Sequence, residues 1–143
     1  MATLPAYDPG NIFAKILRGE IPSHTVFEDA HAAVFMDVMP QSAGHALVVP
    51  KAAARNLLDA DPAHLAHLIT LVQRVARAAM TAFAADGISV MQFNEAAGGQ
   101  SVFHLHFHVV PRYDGVPLKP HTGAMENPEV LASHAAKLRA ALG

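Results

Sequence analysis

The chain contains no cysteine and carries no excess of basic charge. Without cysteine it holds neither a disulfide nor a thiolate metal site. Lys and Arg number 10 against 12 Asp and Glu, a formal net charge of -2. Proteins that wrap duplex nucleic acid usually carry a basic excess, which displaces counterions from phosphates. We therefore expect no polymeric nucleic acid among its partners.

Long apolar runs are also missing. No stretch approaches the roughly 18 apolar residues that span a bilayer, and the opening residues lack the basic and apolar regions of a secretory signal. These features, with the absence of cysteine, predict a cytoplasmic protein that does not bind membranes.

The composition is otherwise that of a folded protein, with 52% apolar and 15% charged residues in 143. This length suits one domain. Residues 1–10, with Pro5, Pro9 and Gly10, predict a flexible leader before a single domain at 11–143. That domain includes a C-terminal helix.

Hydrophobic periodicity predicts an α+β domain with an antiparallel sheet and helices on one side. Asp61 followed by Pro62 is typical of a helix start. The predicted elements are a short helix from Asn11, a hairpin of 25–28 and 32–37, a strand at 45–49, a long helix from Asp61 to about Ala85, a buried strand at 88–93, a strand at 102–110 and a last helix from Asn127.

Histidine is over-represented, with 10 residues, and three of them alternate at His104, His106 and His108. In a strand, alternate side chains share one face, about 6.6–7 Å apart. This row suits an extended ligand better than a closed metal cage, although two neighbouring imidazoles could bind one metal. The histidines expected to be ordinary surface or core residues are His24, His31, His64, His67, His121 and His134.

A loop rich in small residues precedes this row. Gly98 and Gly99 allow the backbone to approach a ligand closely. Gln100 and Ser101 add side-chain donors, and successive N–H groups in such a loop can cradle an anion. The loop and the histidines together indicate a phosphate site.

The segment His104-Leu105-His106-Phe107-His108-Val109-Val110 resembles the signature of the histidine triad family. The similarity extends over about residues 11 to 115, through the segments 11–17, 20–22, 27–29, 35–40 and 44–51. It implies a HIT-like fold with about five antiparallel strands per protomer, one long helix and a C-terminal helix. It also implies a homodimer with a continuous sheet, a purine nucleotide site in each protomer, and no cofactor.

The resemblance further implies roles for individual residues. Asp37 would bind the ribose hydroxyls, and Ser101 and Gln100 would contact the phosphate or the departing group. Asn94 and Gly99 would line the same nucleotide site. The residues implied for the nucleoside pocket are Ile12, Phe13, Ile16, Phe35 and Val38.

In this family pattern His106 would be the nucleophile that attacks the α-phosphate. His104 and His108 would orient it and stabilise the charge on the phosphoryl oxygens, and His45 would complete this cluster of histidines. Neutral imidazole suits this task near pH 7, because its ordinary pKa is about 6.5. The nucleotidyl-imidazole formed is reactive enough for water to cleave. The resemblance assigns protonation of the leaving group to no particular histidine.

The predicted activity is hydrolysis or transfer at the α-phosphate of nucleoside phosphoramidates, acyl-nucleotides or dinucleoside polyphosphates. His108 stands where transferase relatives carry Gln, which favours the hydrolase side. The positions of a structural zinc found in many bacterial members hold Asn11, Ala14 and Ala53, so we predict no metal. Two alternatives are a nucleotide-binding adaptor with incidental catalysis and a metal enzyme that uses two triad histidines.

Overall fold

The structure, a computed structural model, describes residues 3–121 and 123–143. Its strands form one antiparallel sheet in the order β1-β2-β3-β5-β4, which confirms the predicted α+β class. In chain order the elements are α1 (Ile12–Leu17), β1 (Thr25–Glu28), β2 (Ala32–Met36), β3 (Ala46–Pro50), α2 (Pro62–Ala82), β4 (Gly87–Met91), a 3-10 turn (Ala96–Gly98), β5 (Phe107–Arg112) and α3 (Pro128–Leu142).

Helix α2 begins where the sequence predicts. The Asp61 side chain accepts a hydrogen bond from the Ala63 N–H, and Pro62 occupies the first turn. The helix ends at Ala82, earlier than predicted, because Phe83 and Ala84 leave the helical conformation and Ala84 has a φ of 48°. Within the described residues, no helix combines the length and apolar character needed to cross a bilayer.

The central strands are buried on both faces, which corrects the expectation of helices on one side only. Alternate residues of β2 and β3, such as Val34 and Val48, pack under α2 and α3. The residues between them, such as Phe35 and Leu47, pack with Phe13 of α1 on the opposite face. The sheet therefore has a large core on one side and a small core beside α1 on the other.

The predicted strand at 102–110 begins only at Phe107, so the three histidines do not share one straight strand. Residues 102–106 bend because their polar groups bond elsewhere. The Leu105 N–H donates to the Ala54 carbonyl, and the Val102 carbonyl accepts from the Gln100 side chain. These contacts replace pairing with β3 and let successive histidines point in different directions.

Strand β4, predicted to be buried, lies at the edge of the sheet, where β5 is its single partner among the described strands. Its residues are mostly half-buried, and Val90 is 47% exposed. Nearby α2 leaves Ile69 and Met80 52% and 40% exposed. An apolar strip therefore runs along this edge.

Candidate active site

A cavity of about 330 Å³ opens beside α1, on the face of the sheet that carries the small core. The sequence-predicted site residues that line it are Ile12, Phe13, Ile16, Phe35, Asp37, Val38, Ser101, His106 and His108. Those that lie outside its wall are His45, His104, Asn94, Gly99 and Gln100. Apolar groups thus form one part of the wall, and imidazoles and a carboxylate form another.

The strand register places His108 on the face of the cavity. Phe35 of β2 pairs with Leu47 of β3, and Leu47 pairs with His108 of β5. Directly paired residues in a sheet point to the same face. His108 therefore extends the row that begins with the aromatic side chain of Phe35.

His106 is buried and held in one tautomer. Its Nδ1 donates to the His104 carbonyl over 2.7 Å, which leaves the lone pair on Nε2. Its ring meets Phe13 edge-on, with centroids 4.8 Å apart. Burial lowers the pKa of His106 to about 4. At neutral pH this imidazole is uncharged and has one free nitrogen.

His104 is fixed inside the protein rather than in the cavity wall. Its Nε2 donates to the Pro50 carbonyl over 2.8 Å, so its Nδ1 accepts from the Tyr7 hydroxyl over 2.6 Å. The same hydroxyl accepts from Asn11, which caps α1. Burial lowers the pKa of His104. The segment predicted as a flexible leader therefore supplies a partner to the first triad histidine.

A chain of hydrogen bonds sets the tautomers of His45 and His108. The Gln41 N–H donates to His45 Nδ1 over 3.1 Å, so the proton of the neutral ring lies on Nε2. That nitrogen donates to His108 Nδ1 over 2.9 Å, which places the His108 proton on Nε2. Burial lowers the pKa of His45 to about 3 and that of His108 to about 2. His108 therefore offers an N–H donor.

Asp37 lies at the end of β2, buried in the cavity wall. One carboxylate oxygen accepts from the Met39 N–H over 2.9 Å, and the other lies 3.5 Å from His45 Nε2. Burial raises the pKa of Asp37. Because His45 is neutral, this contact is not an ion pair. The second oxygen remains able to accept from a ligand hydroxyl.

The loop at 94–101 brings Ser101 to the cavity but directs Gln100 inward. The Gln100 oxygen accepts from Asn56 and from the Glu95 N–H, and its nitrogen donates to the Arg55 and Val102 carbonyls. Asn94 accepts from the Leu57 N–H. The side chains of Gln100 and Asn94 thus hold the loop in place.

Sequence reasoning missed His121 and Met125, which also line the cavity. The His121 ring lies 5.1 Å from that of His108, between centroids. An isolated histidine in a loop carries no periodic signal, and only the folding of that loop onto the sheet brings it to the site. The sequence predicts an ordinary surface or core residue at His121, and the structure places this residue in the cavity wall.

The described residues include one set of side chains that could hold a metal ion. Asp37, His45 and His108 each offer a ligand atom, all within 4.8 Å of one another. However, His45 Nε2 carries a proton in the tautomer that Gln41 selects, and it donates this proton to His108. A metal there would have to break that hydrogen bond, so the geometry fits a hydrogen-bonded chain better than a metal centre.

Comparison with known proteins identifies the family. The model of the HIT domain matches residues 18–115. A Hit-like protein involved in cell-cycle regulation from Bartonella henselae, solved with an unknown ligand, has a TM-score of 0.92 and 54% identity, covering 96% of this chain and 99% of that chain. The chain therefore belongs to the histidine triad family.

Two relatives have named activities. Adenosine 5'-monophosphoramidase HNT1 from Saccharomyces cerevisiae is 33% identical over 80% of this chain and 70% of its own length. Adenylylsulfatase HINT3 from Arabidopsis thaliana is 35% identical over 71% of this chain and 51% of its own length. Both names describe enzymes that act on derivatives of an adenosine nucleotide.

Proposed function

We propose that this chain is a nucleotide hydrolase or transferase that cleaves the bond between an α-phosphate and its leaving group through a nucleotidyl-His106 intermediate. The observation that carries the proposal is the protonation state and position of His106. Its Nδ1 is bound to a carbonyl, its pKa is lowered to about 4 by burial, and it lines a cavity with an apolar wall. A neutral imidazole with a free Nε2 is a ready nucleophile.

The reaction has two steps. In the first, the Nε2 lone pair forms a bond to phosphorus while the bond to the leaving group breaks, and the leaving group takes that electron pair. In the second, water attacks phosphorus and the N–P pair returns to His106. The His108 N–H, held by the chain from Gln41 through His45, donates to a phosphoryl oxygen as charge develops there.

The cavity suits a purine nucleoside beside this reacting centre. Phe13 and Phe35 stand with rings 5.5 Å apart and supply an aromatic wall for the base. Ile12, Ile16 and Val38 extend that wall. The free oxygen of Asp37 accepts from a ribose hydroxyl, as the family resemblance implies.

The loop at 94–101 contributes through its shape. Ser101 faces the cavity and contacts the phosphate or the leaving group. Gly99, with a φ of 100°, allows the turn that Gln100 and Asn94 hold with their side-chain hydrogen bonds. In this proposal these three residues position the main chain near the nucleotide.

The substrates are nucleoside phosphoramidates, acyl-nucleotides or dinucleoside polyphosphates, which share an α-phosphate with a replaceable group. The name of the phosphoramidase relative supports the first class. The name of the adenylylsulfatase relative supports a mixed anhydride at the α-phosphate, a bond type that the acyl-nucleotides share. The proposed mechanism needs no metal ion.

We also propose that the active form is a homodimer. Strand β4 has an unpaired edge within the described sheet, and Val90, Ile69 and Met80 expose apolar surface beside it. Pairing of two β4 strands would join the sheets and cover this strip. Sedimentation equilibrium tests this directly, and a monomer at micromolar concentration would contradict it.

The function is tested by turnover of adenosine phosphoramidate and diadenosine tetraphosphate in the presence of EDTA. We expect the wild type to cleave at least one and His106→Ala to lose at least about 1,000-fold in kcat/KM. His64→Ala, an exposed histidine of α2, is the matched control and should retain activity. Rapid quenching with mass spectrometry should show adenylylated wild type and none in His106→Ala.

Full turnover by His106→Ala would contradict the nucleophile assignment. Nucleotide binding by calorimetry without any turnover would favour the adaptor function. Loss of activity on chelation, restored by added metal, would favour a metal enzyme.

A further inference from the structure

The loop that joins β5 to α3 is anchored beside the cavity. Its Lys119 N–H donates to the Gln41 carbonyl over 2.9 Å, and its Glu126 N–H donates to the Val38 carbonyl over 2.9 Å. His121 lies between these two anchors and lines the cavity. The loop thus holds an additional imidazole where the proposed reaction takes place.

His121 lies close to the titratable groups at the cavity, which are Asp37, His45, His106 and His108. Its ring lies 5.1 Å from that of His108, with the planes 74° apart, and it shares the cavity wall with Asp37 and His106. Burial raises the pKa of Asp37 and lowers that of His45, His106 and His108, and positive charge on His121 acts to lower all four. His121 itself is partly exposed, so its ring borders both the cavity and solvent.

The other described imidazoles of the cluster cannot release a proton to a leaving group. His106 has its free nitrogen engaged as nucleophile, and both nitrogens of His104 bond inside the protein. If neutral His108 gave up its Nε2 proton, a proton from His45 could replace it. His45 would then become an anion, because the partner of its other ring nitrogen is the Gln41 N–H, which does not transfer a proton. This chain donates hydrogen bonds but is no proton source.

We propose that His121 is the catalytic acid that protonates the leaving group, an inference that rests on the function proposed above. As His106 Nε2 bonds to phosphorus, the leaving atom takes the electron pair of the breaking bond and receives the proton of the His121 imidazolium. In the second step, neutral His121 accepts a proton from the attacking water, and the N–P electron pair returns to His106. Protons and electron pairs balance over the cycle.

This role makes the importance of His121 depend on the leaving group. Ammonia leaves adenosine 5'-phosphoramidate only after its nitrogen gains a proton. The 4-nitrophenolate of adenosine 5'-(4-nitrophenyl phosphate) is stable as an anion and needs none. The two substrates share the same adenylyl group, so binding of the nucleotide and attack by His106 are matched between them.

The test compares wild type and His121→Gln by kcat/KM, which reports the first irreversible step. We expect His121→Gln to lose about 100-fold or more on the phosphoramidate and to stay within about threefold on the aryl ester. His64→Gln, on the exposed surface of α2, is the matched control and should leave both values unchanged.

Equal losses on both substrates would overturn the acid role and make His121 a binding residue. Unchanged values on both would also overturn it. If the wild type cleaves neither substrate, this inference fails. If it also leaves diadenosine tetraphosphate intact, the proposed function fails with it, whereas equal losses or unchanged values measured against an active wild type overturn the inference alone.

Discussion

The buried histidines make the free energy of unfolding depend on pH, and substitution of His106 isolates the contribution of one of them. In the unfolded chain an imidazole binds a proton below about pH 6.5. In the folded chain His106 resists protonation until about pH 4, because it is buried. Between these values the unfolded state binds more protons than the folded state. The contribution of His106 to the free energy of unfolding is therefore fully present above pH 6.5 and decreases as the pH falls toward 4.

The size of this effect follows from the two pKa values. From pH 7 to pH 5 the proton taken up by one unfolded histidine favours unfolding by about 2 kcal/mol, at about 1.36 kcal/mol per pKa unit. Folded His106 gains almost nothing over the same range, given its pKa of about 4. Glutamine does not titrate, so His106→Gln removes this contribution from both states.

Urea unfolding at pH 7 and pH 5 measures the difference. We expect wild type to lose about 2 kcal/mol more than His106→Gln between the two values. The comparison uses the change with pH in each protein, so any effect of the substitution at pH 7 cancels. His64→Gln, at an exposed site, should show the wild-type dependence. An equal loss in wild type and His106→Gln would refute the assignment of a buried, neutral His106.

Two further substitutions test the surroundings of the site. Tyr7→Phe removes the donor to buried His104 Nδ1, and we expect the free energy of unfolding to fall by about 1–3 kcal/mol in urea titrations. Gly44→Ala should cost about 2 kcal/mol or more, measured in the same way. The φ of Gly44 is +89°, and an added Cβ would lie 2.5 Å from the Phe83 ring.

Each of these two substitutions has a matched control elsewhere in the chain. Tyr113→Phe removes an exposed hydroxyl that donates to the Ala43 carbonyl, and it should change stability by less than Tyr7→Phe. Gly87→Ala places a Cβ in open space, with no atom within 4 Å, and should cost far less than Gly44→Ala. Equal effects within either pair would contradict the structural explanation.

Local sequence signals predicted the elements whose stability is decided locally. Helix α2 begins at Asp61 and Pro62 because a side-chain cap and a fixed φ act within one turn. The strands of the first hairpin were likewise predicted closely, at β1 and β2. The family resemblance then identified half of the residues that line the cavity.

Features set by distant contacts were not predictable in this way. The alternation of apolar residues around His104 suggests a strand, but hydrogen bonds to Ala54 and Pro50, some 50 residues earlier, bend the chain there. Tyr7 and His121 come from opposite ends of the sequence, and neither lies in a periodic segment. Their places in the site depend on the tertiary fold alone.

The tautomers of the reacting imidazoles are selected by the main chain. His106 is set by a carbonyl and His45 by the N–H of Gln41, and every amino acid except proline supplies these two groups. Side-chain changes at position 41 can therefore preserve the proton arrangement as long as the loop keeps its path. The His45 tautomer therefore depends on the backbone conformation between β2 and β3, and the His106 tautomer depends on the backbone conformation of residues 104–106.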